Sequence, residues 1–393
     1  MRTDKGRKII YADNAATTVV SQHVLEEMLP YMVGKYGNPS SAHTLGREAI
    51  EAVELSRAVI AKCIGAQPEE IYFTSGGTES DNMALRSGAK IGEARNKRHI
   101  ITSAIEHHAV LNVVEELPFD GFSYTLVGVN EDGLVEPRDV DVALQEETVM
   151  VSVMMANNET GMIQPVKEIG ALCRNKGIIF HTDAVQAVGH IRVNVSEMNI
   201  DMLSMSAHKF HGPKGVGALY VREGTPVYPL LYGGGQEHGL RSGTENVAGI
   251  VGMAVALSDS CDHLLKNGKA VLRMRNALID GILEAVPWCK LNGILPLRLP
   301  GNVSICFDGI EGPALVLRLD ADGICASAGS ACTTGTLEPS HVLKAMGVPD
   351  ELIGGALRIT LSEENTMEDV KAIVRSVAKN VNELRKMSPT WKG

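Results

Sequence analysis

The sequence predicts an α/β protein: a large domain on a mostly parallel, mixed sheet flanked by helices, and a smaller α+β domain. Three observations lead there. The chain has 393 residues, more than the ~250–300 at which one hydrophobic core usually stops growing, so two domains are expected. As far as residue 250, short and nearly continuous apolar runs alternate with helical patterns, the signature of parallel strands covered on both faces. Near residue 260 the pattern changes to long helical stretches joined by two strand-like runs. Residues 15–260 are therefore assigned to the large domain, and 1–14 with 261–393 to the small one, although the first dozen residues could pack on either.

In chain order, "EEIYFTSGG" reads as a strand, followed by a helix beginning near "TESDNMAL". "HIITSAIEH" precedes the helical "AVLNVVEEL". "TVMVSVMMANNETG" precedes "VKEIGALCRNKG". "GIIFHTDAVQ" and "DMLSMSAHKFHG" are two further strands. Right-handed crossovers are expected between the parallel strands. Beyond these, "AVALSDSCDHLLKNGKAVLRMRNALIDGILEAV" reads as one long helix or two. "GNVSICFDG" and "GALRITL" read as strands and "GPALVLRL" as a helix. In the last helix, "TMEDVKAIVRSVAKNVNELRKM", Thr366 is the expected N-cap with Glu368 and Asp369 in the first turn.

The formal net charge is −10, which argues against a general nucleic-acid or anionic-membrane binder. No uncharged apolar run reaches the ~18 residues of a membrane span, and the N-terminus shows no signal-peptide pattern. The seven cysteines are odd in number, widely spaced and free of CxxC. That usage suits free thiols in a reducing cytoplasm. Cys63 and Cys173 fall in helical patterns and Cys306 in a strand, where a thiol packs as a small apolar group.

Five polar clusters sit at or just after the C-terminal ends of predicted strands, where open α/β sheets bind ligands. In "FTSGGTESDN", Gly77 and Thr78 open a helix whose N-terminus suits a phosphate; a capped turn is the plainer reading. In "HTDAVQ", Asp183 and Gln186 follow a strand, and a carboxylate there can hold a protonated ring nitrogen or cap a helix. In "SMSAHKFHGPKGVGALY", Lys209 follows an apolar run; a desolvated lysine is a nucleophile or Schiff-base former, and a surface lysine is the alternative. His208 and His211 make a weak metal pair, because the Gly-Pro after them breaks any helix. His107 of "EHHAV" could stack on a flat ring, exchange protons or be structural. Asn158 of "NNETG" could hydrogen-bond a ring oxygen. Arg358 of "GALRIT" offers its planar fork to a carboxylate, or serves as a buried structural arginine. Together these groups form the kit for pyridoxal 5'-phosphate.

The motifs resemble those of the cysteine desulfurases of the NifS/IscS family, in the class V aminotransferase group. The resemblance runs nearly end to end: "YADNAATT", "YGNPSSAH", "FTSGGTESDN", "EHHAV", "NNETG", "HTDAVQAVGH", "SAHKFHGPKGVGALY", "GGGQEHGLRSGTEN", "NVSICF", "SAGSACTTGTLEPSHVL" and "LRIT", in order. It implies the type I pyridoxal-phosphate fold, a homodimer, and conversion of L-cysteine to L-alanine with sulfur left on Cys332 as a persulfide. By the same resemblance Lys209 would be the Schiff-base lysine, Asp183 the partner of the ring nitrogen and His107 the stacking residue. Gln186 and Asn158 would contact the ring oxygen and nearby groups. Gly77, Thr78, Ser206 and His208 would hold the phosphate, with Thr244 reaching in from the second subunit. Arg358, assisted by Asn158, would bind the substrate carboxylate. No metal is expected. A persulfide-acceptor protein such as an iron–sulfur scaffold is the implied partner, with tRNA or cofactor thiolation as further destinations. The small side chains around Cys332 lead to an expectation of a mobile loop. Cys325, seven residues earlier, is expected to be packed.

Overall fold

The computed structural model describes residues 8–329, 339–388 and 391. The elements run β1 (Ile10–Tyr11), α1 (Gln22–Val33), α2 (Thr44–Ile64), β2 (Ile71–Thr74), α3 (Gly77–Arg95), β3 (His99–Ser103), α4 (His108–Glu116), β4 (Ser123–Val127) and α5 (Pro137–Ala143). Then come β5 (Thr148–Ser152), α6 (Val166–Lys176), β6 (Ile179–Asp183), β7 (Met202–Ser206), β8 (Gly217–Val221) and α7 (Val247–Ala285). The chain continues through β9 (Cys289–Leu291), β10 (Asn302–Phe307), α8 (Gly312–Asp322), β11 (Ile324–Cys325) and β12 (Ser327–Ala328). It ends with α9 (His341–Ala345), α10 (Asp350–Ile353), β13 (Ala356–Thr360) and α11 (Met367–Met387).

Seven strands form one sheet in the order β2-β8-β7-β6-β5-β3-β4. From β7 to β4 all neighbours are parallel. β8 is antiparallel to both β7 and β2. The loop from β7 to β8 is too short for a crossover, so the chain must turn straight back. Because β8 reverses twice, β2 runs parallel to β7. The carboxyl ends of β2, β3, β5, β6 and β7 therefore share one edge, the edge on which the five polar clusters lie.

The near-continuous apolar character of these strands is explained by their two covered faces. Ile101, Val151, Phe180, Leu203 and Ala218 point into a core shared with α2, α6 and α7. Their neighbours Ile100, Met150, Ile179, Met202 and Leu219 point the other way, into a core shared with α3 and α4. Successive residues alternate faces with the period of two that a strand dictates.

A second, four-stranded antiparallel sheet has the order β12-β13-β10-β9. Val303, Ile305, Leu357 and Ile359 pack there against Leu278 and Ile282 of α7 and Ile373, Val377 and Val381 of α11. Thr366 caps α11 in a capping box with Asp369. The segment read as one or two helices is a single 39-residue helix. Its first turns, Val247 to Leu257, belong to the large core, and Val271 to Ile282 to the small one. It thus runs unbroken through residue 260. Among the described helices α7 alone has a window apolar enough to span a membrane, and half of that window is buried inside the fold, so it serves as a core helix.

The N-terminal segment joins the C-terminal part. β1 pairs with β11, Ala12 sits in the small core, and Asp13 bridges to Thr360 of β13. The chain then crosses towards the sheet edge, where Thr18 N–H donates to the His208 carbonyl at 2.8 Å. Cys173 and Cys306 are fully buried; Cys63 and Cys325 are half-buried.

Candidate active site

A cleft of about 940 Å³, including its open mouth, lies over the shared carboxyl edge. Ten of the predicted site residues line it: Gly77, Thr78, His107, Asn158, Asp183, Gln186, Ser206, His208, Lys209 and Arg358. Two do not. Thr244 is exposed, in the stretch leading into α7, and is not part of this cleft within one chain. Cys332 lies outside the described residues, as does the expected mobile loop from 330 to 336; at the start of that expected loop, Ser327 and Ala328 instead form β12, paired with β13.

Each wall follows from local structure. α3 begins at Gly77 with Gly76 as its cap residue, so its first N–H groups face the cleft. Here the backbones crowd: a Cβ on Gly217 of β8 would lie 2.7 Å from Gly76 Cα. Gly77 itself is confined by Val185, whose Cγ2 would be 2.6 Å from an added Cβ. An anion could thus approach bare backbone at a 19-residue helix N-terminus, where the peptide dipoles favour negative charge. Ser206 ends β7, buried, and His208 holds Thr17 Oγ1 at 3.1 Å through Nδ1. Burial, then the charges of Lys209 and Lys214, depress the His208 pKa to about 4, so its imidazole is neutral near pH 7.

Lys209 follows in a short turn after β7. Its Nζ donates to the carbonyls of Ala15 at 2.6 Å and Ala16 at 2.9 Å, and Gln186 Nε2 donates to the Ala15 carbonyl at 3.0 Å. The N-terminal segment therefore aims the lysine. His107 caps α4: its Nδ1 accepts the Ala109 N–H at 3.1 Å, which places the ring proton on Nε2. Burial lowers its pKa, leaving a neutral ring suited to stacking. His208 and His211 diverge, because His211 lies beside Glu363 at 3.7 Å in a separate cavity behind Ala15.

Asp183 ends β6 and accepts the Val185 N–H at 2.9 Å. Burial raises its pKa, opposed by His107 and Lys209. Deeper in the cleft, Asp81 is raised further, by burial first and by the Asp183 charge second. Two carboxyls so close cannot both ionise easily, and the deeper one keeps the proton. Asp81 was missed by sequence reasoning, as were Asp13, Ala15, Ala16, Met154 and Val185. A signal for Asp81 existed: it follows Gly77 by one helical turn, on the same face.

Glu106, fully buried behind His107, accepts from Ser103 Oγ at 2.5 Å and Met154 N–H at 2.9 Å. Burial pushes its pKa to about 8, and that of Glu159 to about 7. Above their unfolded values these acids stay protonated only in the native state, so unfolding releases protons and stability falls as pH rises. His211, lowered by burial but raised on balance by Glu363, acts in the same direction. His181 and His208, depressed to about 3 and 4, oppose it, but only below their unfolded value of 6.5, where stability falls as pH falls. Between pH 6.5 and 8 the acids dominate, at up to about 1.4 kcal/mol per pH unit for each extra proton held. Glu106→Gln is expected to flatten that decline. Melting temperatures across the window check it, and equal slopes in both proteins would remove Glu106 as a cause.

The family "Aminotransferase class-V" matches residues 10–373. A curated relative named "Cysteine desulfurase IscS", from Clostridium botulinum (strain Hall), is 47% identical over 386 residues, covering 98% of this chain and 97% of that protein. A solved structure titled "NIFS-LIKE PROTEIN" superposes with a TM-score of 0.90 at 41% identity, covering 96% of this chain and all of that one. Another, "SspA in complex with cysteine", has a TM-score of 0.80 at 36% identity, covering 90% and 99%.

Proposed function

This chain belongs to the class-V aminotransferase family and, within it, to the cysteine desulfurases; from that membership we propose that it converts L-cysteine to L-alanine with pyridoxal 5'-phosphate and keeps the sulfur on Cys332. One observation carries the reading. A lysine, a buried carboxylate, a neutral histidine and a helix N-terminus converge with a buried arginine in one cleft. A scaffold or a hydrolase has no use for that combination.

The residues fit the cofactor. The backbone-lined N-terminus of α3, with Ser206 and His208, would take the phosphate. Asp183, whose buried charge lacks full compensation, would take the protonated ring nitrogen, and the flat face of His107 would lie on the ring. Gln186 and Asn158 are within the same wall for the ring oxygen. Bound there, pyridoxal phosphate supplies an electron sink that acidifies the Cα proton of an attached amino acid.

The chain's own residues do the rest. Arg358 is 2% exposed and its Nε has no hydrogen-bond partner among the described residues, which suits a guest carboxylate. Lys209 would take the Cα proton of the substrate. The Cys332 thiolate attacks the substrate sulfur: the S–S bond forms as the Cβ–S bond breaks, and the carbon skeleton leaves as alanine after protonation. L-cysteine and a thiol thus yield L-alanine and a persulfide without an external oxidant. A free thiol has a pKa of ~8.5, so the thiolate fraction at neutral pH is small.

The persulfide would pass to an acceptor protein, with iron–sulfur cluster assembly as the main destination, in the cytoplasm. A homodimer with Thr244 completing the partner's phosphate site is part of the proposal. It is supported by the exposed Leu25, Leu29, Met32 and Val33 of α1, an apolar face of the kind that a second copy covers.

The test is L-cysteine alone, with no keto acid, and quantification of alanine and sulfide. Equal amounts of both are expected in the presence of a thiol reductant. A requirement for a keto acid would replace the desulfurase by a transaminase.

A further inference from the structure

Asp13 divides its carboxylate between two elements. Oδ1 accepts from Arg358 Nη2 at 2.9 Å, and Oδ2 accepts from Ser327 Oγ at 2.9 Å. Ser327 and Arg358 are themselves cross-strand partners in the β12–β13 ladder. The triangle therefore ties the N-terminal segment to the two strands that face it.

Arg358 needs such a partner. A buried guanidinium without a counter-charge is strongly disfavoured, and this side chain is 2% exposed against 17% for Asp13. Its Nη1 donates to the Asn158 carbonyl at 3.1 Å. Two of its three nitrogens are thus fixed, by Asp13 and by the Asn158 backbone, and Nε is buried with no hydrogen-bond partner among the described residues. A competing carboxylate is near: Glu159 is fully buried, and the Arg358 charge draws its pKa down against the larger effect of burial. Without Asp13 the fork would lose the carboxylate that fixes it, and Glu159 would compete for it.

We propose that Asp13 is the positioning residue for the substrate carboxylate: it holds the Arg358 fork in the one orientation that presents Nε to an α-carboxylate. This rests on the reading of Arg358 as the carboxylate contact. Asp13 offers no attraction of its own to an anion, so its whole effect passes through Arg358.

The test uses the holoenzyme and Asp13→Asn. KM for L-cysteine is expected to rise about tenfold, the worth of one charge-assisted hydrogen bond, with kcat changed less than twofold. The second readout is binding, followed by the visible spectrum: L-alanine against L-alaninamide, which lacks the carboxylate. Wild type should prefer the acid and D13N should lose that preference. Ser327→Ala, which loosens Asp13 without removing its charge, should shift KM in the same direction by less. An unchanged or lower KM, or an intact preference for the acid, in both variants overturns the proposal. Arg358→Lys separates the two ideas: if it also keeps the preference, the carboxylate reading of Arg358 has failed rather than the role of Asp13 alone.

Discussion

Cys332→Ala is expected to abolish sulfide and alanine formation from L-cysteine, a loss on the order of 10³-fold or more, because the covalent route is removed entirely. The variant should keep its yellow colour and its spectral response to L-cysteine, since the residues that line the cleft are untouched. After exposure to L-cysteine, the wild-type peptide containing Cys332 should gain the mass of one sulfur atom, and the variant should gain none. Cys325 is no substitute. It is half-buried in β11 opposite Tyr11, and burial raises its pKa, which cuts its thiolate fraction. Sulfide released at the wild-type rate by Cys332→Ala would falsify the assignment of the nucleophile.

The second large effect concerns Lys209→Ala. On the proposed reading, removing the amine removes both the covalent hold on the cofactor and the base for the Cα proton. General-base losses alone are typically 10²–10⁴-fold, so turnover is expected to fall by about 10³-fold at least. The visible absorbance should disappear on thorough dialysis, whereas wild type retains it. Lys209 Nζ sits within hydrogen-bond reach of the Ala15 and Ala16 carbonyls, so its loss frees acceptors at the cleft wall that water can satisfy. The fold should survive, with a cooperative melt. An unchanged spectrum after dialysis would sink the assignment.

Much of the site was legible because its chemistry is local. The N-terminus of α3, Asp183, Lys209 and His107 each lie within a few residues of a strand end, so a one-dimensional reading could find them. Thr366 as a helix cap was equally local. What was not legible depended on distant pairing. "YADNAATT" stood out as a motif, but nothing in it says that its carbonyls meet Lys209, 194 positions away. Likewise α7 was read as one helix or two, because the apolar face it buries changes partner near residue 260 without any break in helical propensity.

The sequence by itself determined the alternation of strands and helices, the polar clusters at strand ends and the residue types that line the cleft. Those follow from periodicity and side-chain chemistry, which act over a few residues. Only the tertiary structure decided that β8 runs antiparallel between β2 and β7, which brings the N-terminus of α3 to the same edge as Lys209. It also decided that Asp13 meets Arg358 across 345 positions of chain. Strand order and register are set by which faces can be buried together, and a buried guanidinium takes whichever carboxylate the packing delivers. Neither choice is written in the residues that surround it in sequence.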